Sequence, residues 1–192
     1  KHADWKQVLG LIPFAAVGVI VGFFVLGSID NAQARLLIGA SLVIMIVLHV
    51  AKRRSKVPKG SGLLSRSFAP MIGGMAGFVS MIANAAGPFM TLYLLAMRMP
   101  KMAFLGTSVY FFTLLNLFKI PFLVSVNIIT WESAMANVRL VPFVIVGAFA
   151  GYYFARKVNQ RWFERTAFWL TIIAVGYMIW NAFEELWRMY YA

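Results

Sequence analysis

Cysteine is absent from the 192 residues, which excludes disulfides, thiolate metal sites and a cysteine nucleophile. Carboxylates are nearly as scarce. Six Asp and Glu stand against eighteen Lys and Arg, and each acidic residue lies in a loop or at the edge of an apolar run. Histidine occurs only as His2 and His49, which cannot form a metal centre without carboxylate partners. An enzyme site needs an acid, base or nucleophile within reach of a partner, and the apolar runs offer none. No catalytic residue, metal site or cofactor is therefore expected.

What remains is apolar. Hydrophobic residues make up 61% of the chain and the mean hydropathy is +0.78, which defines an all-α integral membrane protein rather than a soluble domain. The net charge of +12 has the sign of a nucleic-acid binder, but its distribution argues otherwise. Lys52, Arg53, Arg54, Lys56, Lys59 and Arg66 fill one loop, and Arg156, Lys157, Arg161 and Arg165 fill another. Both abut apolar spans, so they read as positive-inside signals. The expected partner is the lipid bilayer, not nucleic acid.

The order of segments follows. Residues 1–51 hold two spans, 8–28 and 34–51, joined by a polar loop at 28–33. Residues 52–67 form a basic linker with Pro58, Gly60 and Gly62, expected on the cytoplasmic side. Residues 68–192 hold a broken segment, 68–97, and spans at 102–125, 134–155 and 162–187. Trp5, Trp131, Trp162, Trp187, Tyr190 and Tyr191 fall at span ends, where amphipathic rings favour the interface.

Residues 68–97 contain no charge, yet Asn84, Gly87 and Pro88 interrupt them. Pro88 lacks an N–H and its ring clashes with the preceding turn, so a continuous helix would break there. If this segment crossed once, Arg98 and Lys101 would lie outside, and every later loop would violate the charge rule. If it enters and returns, all loops obey. The expectation is a re-entrant hairpin turning within the membrane at residues 84–87. Its second arm, 88–97, reaches only about 15 Å at 1.5 Å per residue, too short to span.

Such a turn has its own chemistry. Pro88 suits the first helical position, with Gly87 at the N-cap. The N–H groups of Phe89, Met90 and Thr91 would then face the membrane interior at the positive end of a helix dipole, which attracts anions. Asn84 adds an amide, and Ala85 and Ala86 complete the turn. In the next span Thr107 and Ser108 offer hydroxyls, and Asn116 and Lys119 lie one turn apart. Lys119 is a cation well inside a span, where it either snorkels to the surface or faces an anion pathway. The expected substrate-binding set is Asn84, Ala85, Ala86, Gly87, Pro88, Thr107, Ser108, Asn116 and Lys119. Gly73, Gly74 and Gly77 are expected to pack helices rather than to form the site.

An internal repeat adds a second level. Leu11, Pro13, Phe14, Val17, Gly18 and Gly22 recur at constant offset as Leu140, Pro142, Phe143, Val146, Gly147 and Gly151. Few charges follow the first copy and many basic ones follow the second, so the copies should cross in opposite senses. That is an inverted repeat, an architecture of secondary transporters.

At these residues the chain resembles the sulfite exporter TauE/SafE family. The resemblance rests on Gly73-Gly-x-x-Gly77-Phe78, Asn84-Ala-Ala-Gly-Pro88, Lys101 with Gly106-Thr107, the segment from Asn116 through Lys119 to Phe122, and the Pro142-Phe143 helix through Gly151. The turn reads Asn84-Ala85-Ala86 where a Gly-x-Gly-Gly-Gly form is commoner in the family. The resemblance implies two related halves, with the first half's hairpin and following span expected before Lys1. It also implies a multi-pass protein of the bacterial inner membrane that exports sulfite, sulfonates or related organic anions. The alternatives are an anion channel and a non-catalytic accessory subunit. A homo-oligomer is compatible with the sequence.

Overall fold

A computed structural model describes residues 3–26 and 62–191. The polar loop at 28–33, the span at 34–51 and the linker through residue 61 lie outside the described residues. Within them the chain is helical: α1 (Trp5–Leu26), α2 (Gly62–Ala83), α3 (Gly87–Ala96), α4 (Lys101–Ser125), α5 (Trp131–Lys157) and α6 (Gln160–Tyr191). Helices α1, α4 and α5 are long and apolar enough to cross a membrane. The expected all-α membrane fold is borne out.

The helices overrun the apolar spans read from sequence. Helix α2 begins at Gly62 rather than after residue 67, and α6 continues to Tyr191. Charge and apolarity locate a membrane boundary, whereas a helix ends where its capping fails. Thr130 illustrates the second rule. Its side chain accepts from the Ser133 N–H, and Ser133 Oγ accepts from the Thr130 N–H, a capping box that starts α5 at Trp131.

Helices α1 and α2 touch backbone to backbone. A Cβ on Gly18 would sit 2.0 Å from the Gly74 carbonyl oxygen, and one on Gly77 would sit 1.9 Å from that of Ala15. The glycines are the condition of this approach, since small residues let membrane helices close on each other. Leu11 lies against Gly73 and Gly22 against Met81, so the two helices run in the same direction. The rings of Trp5 and Tyr110 lie 4.6 Å apart and those of Phe23 and Phe122 5.2 Å apart. Helix α4 therefore runs with them too.

Helix α3 must return. Its predecessor ends beside Lys119, towards the end of α4, while the Tyr93 hydroxyl donates to Gln7 at the start of α1. The chain enters by α2, breaks, and comes back by α3 as a short re-entrant arm. Phe89, Met90, Leu92, Tyr93 and Leu94 on this arm are all buried, so its apolar face is enclosed by protein.

A polar clamp fixes the arm's exit. Gln160 accepts from the Lys101 N–H at 2.7 Å and donates to the Met99 carbonyl at 3.0 Å. Its amide thus pairs with the backbone of the α3–α4 turn. Lys101 Nζ donates to the carbonyls of Arg156 and Val158 at the end of α5, where a cation offsets unpaired carbonyls and the negative helix end. Helix α5 therefore runs against α4. The repeated frame runs with α4 in α1 and against it in α5, and the two copies have opposite sense.

Candidate functional site

The break between α2 and α3 is made by a few residues. Asn84 has φ 52°, in the left-handed region that terminates helices and that asparagine tolerates better than most residues. Its N–H still bonds the Ser80 carbonyl at 3.1 Å, the last link of α2. Ala86, not Gly87, is the N-cap of α3, with no side-chain cap. Gly87 and Pro88 take the first two helical positions, where Pro88 has no N–H to leave unpaired. The Met90 N–H is already bonded to the Ala86 carbonyl at 3.1 Å, and Thr91 lies inside the helical ladder. The expected trio of donors is thereby corrected. Among the described residues the N–H groups of Gly87 and Phe89 have no acceptor. Gly87 is half-buried and reachable, whereas Phe89 is fully buried and its N–H adds to the positive end of α3.

Lys119 faces this break. It is 6% exposed and lies on the buried stripe of α4 formed with Phe104, Thr107, Phe111 and Leu115. Side chains on a helix lean towards its N-terminus, and this one leans inward rather than snorkelling to the nearer end. Its Nζ donates to Asn84 Oδ1 at 2.6 Å and to the Ser80 carbonyl and hydroxyl at 3.2 Å each. The three protons of the ammonium are thus matched by three acceptors. All are neutral, and no carboxylate meets Lys119 among the described residues. Among the described residues the positive charge is hydrogen-bonded but not cancelled.

The Lys119 bond also fixes the Asn84 amide. With Oδ1 turned to the ammonium, Nδ2 points the other way, from an exposed residue and without a partner among the described residues. Ala85 and Ala86 line the turn beside it, the first half-buried and the second buried.

Other expected members lie elsewhere. Thr107 is fully buried, and its hydroxyl accepts from the Asp4 N–H at 3.0 Å at the start of α1. It stands about 18 Å along α4 from Lys119 at 1.5 Å per residue, and Ser108 is beside it. Both tie α4 to α1 or lie near that junction, and neither belongs to the break. Asn116 is exposed and lies off the buried stripe of Phe104, Thr107, Phe111, Leu115 and Lys119, so the expected pairing of Asn116 with Lys119 on one buried face does not form. Ser80 was absent from the sequence-based set. It stands one turn before Asn84 on the same face, and that spacing was the available signal.

A re-entrant hairpin among parallel spans, with a half-helix N-terminus and a buried cation at its tip, is an arrangement that membrane transporters use. A family profile described as Sulfite exporter TauE/SafE matches residues 1–178, and the chain belongs to that family. It is a multi-pass membrane transporter of the sulfite and anion type. No curated protein and no solved structure matches it.

Proposed function

We propose that the protein is a secondary transporter that exports small oxyanions, sulfite or sulfonates foremost, across the bacterial inner membrane. The anion sits at the start of α3. It takes hydrogen bonds from the Gly87 N–H and Asn84 Nδ2, with Lys119 behind the turn supplying the opposing charge. The observation that carries this reading is an ammonium that no carboxylate among the described residues cancels, next to donors that none of them pairs. An anion deep in a membrane protein is strongly disfavoured without a nearby cation. Gly87 supports it as well, since among the described residues a Cβ there would meet no other element within 4 Å, which leaves space for a ligand at the backbone. Ser80 belongs to the site as the residue that holds Lys119.

The test is flux in proteoliposomes containing the purified protein, with radiolabelled sulfite and competing sulfonates and carboxylates. Saturable movement, inhibited by sulfonates, is expected. Flux linear in concentration makes the protein a channel, and no flux of any of these anions contradicts the assignment.

A further inference from the structure

The surroundings of the Lys119 ammonium have a meaning apart from anion binding. Three oxygens converge on Nζ within 2.6–3.2 Å: the Ser80 carbonyl, the Ser80 hydroxyl and Asn84 Oδ1. They come from the last turn of α2 and from Asn84 directly after it, at the electronegative end of a helix broken inside apolar protein. Ser80 and Lys119 are both buried. Backbone and side-chain oxygens at the C-terminal end of a half-helix form the donor set with which discontinuous helices hold a coupling cation. Here the place is filled by a side chain from α4. Every donor is neutral, which suits a singly charged ion, whereas divalent ions are usually held with carboxylates.

We infer that the turn from Ser80 to Asn84 is a monovalent-cation site whose occupant is the tethered ammonium of Lys119, so that the protein needs no free sodium or potassium at this position. The geometry alone carries this assignment. Its consequence for transport rests on the anion site proposed above.

The experiment removes the tethered cation and offers free ones. Lys119→Ala keeps all three oxygens and leaves a void about the size of propylammonium. Melting temperatures of the purified full chain are compared in sodium, potassium, propylammonium and choline chloride at constant ionic strength. Wild type should melt alike in sodium and choline. Lys119→Ala should lose about 5–10 °C in choline, the scale expected from emptying a buried hydrogen-bonded site. Sodium or propylammonium should restore at least half of the loss with saturation. The double variant Ser80→Ala/Lys119→Ala, which lacks one oxygen, should need a higher concentration. A Lys119→Ala protein indifferent to all three cations overturns the inference.

If Lys119→Ala does not accumulate, the wild-type chain decides. Equal melting in sodium and choline supports the tethered cation, and a saturable rise with sodium overturns it. Transport separates the two proposals. Sodium-dependent anion flux by Lys119→Ala supports both. Restored stability without flux supports the cation site and contradicts the role of its charge in anion binding.

Discussion

The Lys119 ammonium donates to Asn84 Oδ1 at 2.6 Å, across the junction between the fourth described helix and the broken tip of the second. This bond joins the α4 cation to the residue whose left-handed backbone ends α2. It also turns the amide donor of Asn84 away from Lys119. Charge and hydrogen-bond direction at the tip are therefore set together.

Substitution of Lys119 should separate charge from shape. Lys119→Gln retains a hydrogen-bond donor but no charge, and it is expected to abolish sulfite flux in vesicles at near-normal membrane abundance. Lys119→Arg keeps the charge in a larger planar group and is expected to retain part of the flux. Wild-type flux in Lys119→Gln would show that the anion does not depend on this cation.

The two copies of the repeated frame should respond differently to the same substitution. Gly18→Ala forces a Cβ into the Gly74 carbonyl, and Gly77→Ala into that of Ala15. Each should cost about 1–3 kcal/mol or more, seen as a fall of roughly 2–10 °C in melting temperature. Gly147→Ala meets nothing within 4 Å among the described residues and should melt like wild type. A fall of the same size in Gly147→Ala would reveal a helix packed on α5.

The clamp at the exit of the re-entrant arm predicts a further stability effect. Gln160→Leu leaves the Lys101 N–H and the Met99 carbonyl without their partner. Unpaired groups of this kind cost about 1–3 kcal/mol, so a drop of roughly 2–10 °C is expected. Unchanged melting would mean that water replaces the amide at no cost.

Topology can be read by labelling, because the chain has no native cysteine. Pro100→Cys and Arg161→Cys should be shielded from an impermeant maleimide applied outside cells, and Glu132→Cys should react. These three positions are exposed, so access depends on the side of the membrane. Labelling of Pro100→Cys from outside is incompatible with a re-entrant arm.

Much of this arrangement was legible in the sequence, for identifiable reasons. Asn84, Gly87 and Pro88 announced the break because proline cannot sit mid-helix without losing a bond. The loop charges announced its return, since only a hairpin keeps Arg98 and Lys101 on the same side as Arg156 and Lys157. Rotational phase was less accessible. Lys119 and Asn116 are close in sequence, yet one is buried and the other exposed, and an almost uniformly apolar helix carries no pattern from which to assign its inner face. Partners distant in sequence were hidden for the same reason. Nothing local in Thr107 shows that the start of α1 takes its hydroxyl. Nothing local in Ser80 shows that a lysine from another helix will fill its acceptors.

Gly87→Val places a side chain where the anion is proposed to meet the backbone at the start of α3. Among the described residues a Cβ at this position meets no neighbouring element within 4 Å and Gly87 has no positive φ to lose, so the melting temperature should stay within about 2 °C of wild type. Sulfite flux in proteoliposomes should fall by at least about tenfold, the equivalent of roughly 1.4 kcal/mol, because the new side chain occupies the space beside the Gly87 N–H. Unchanged melting with lost flux is the predicted result. Unchanged melting with wild-type flux would mean that the anion binds elsewhere.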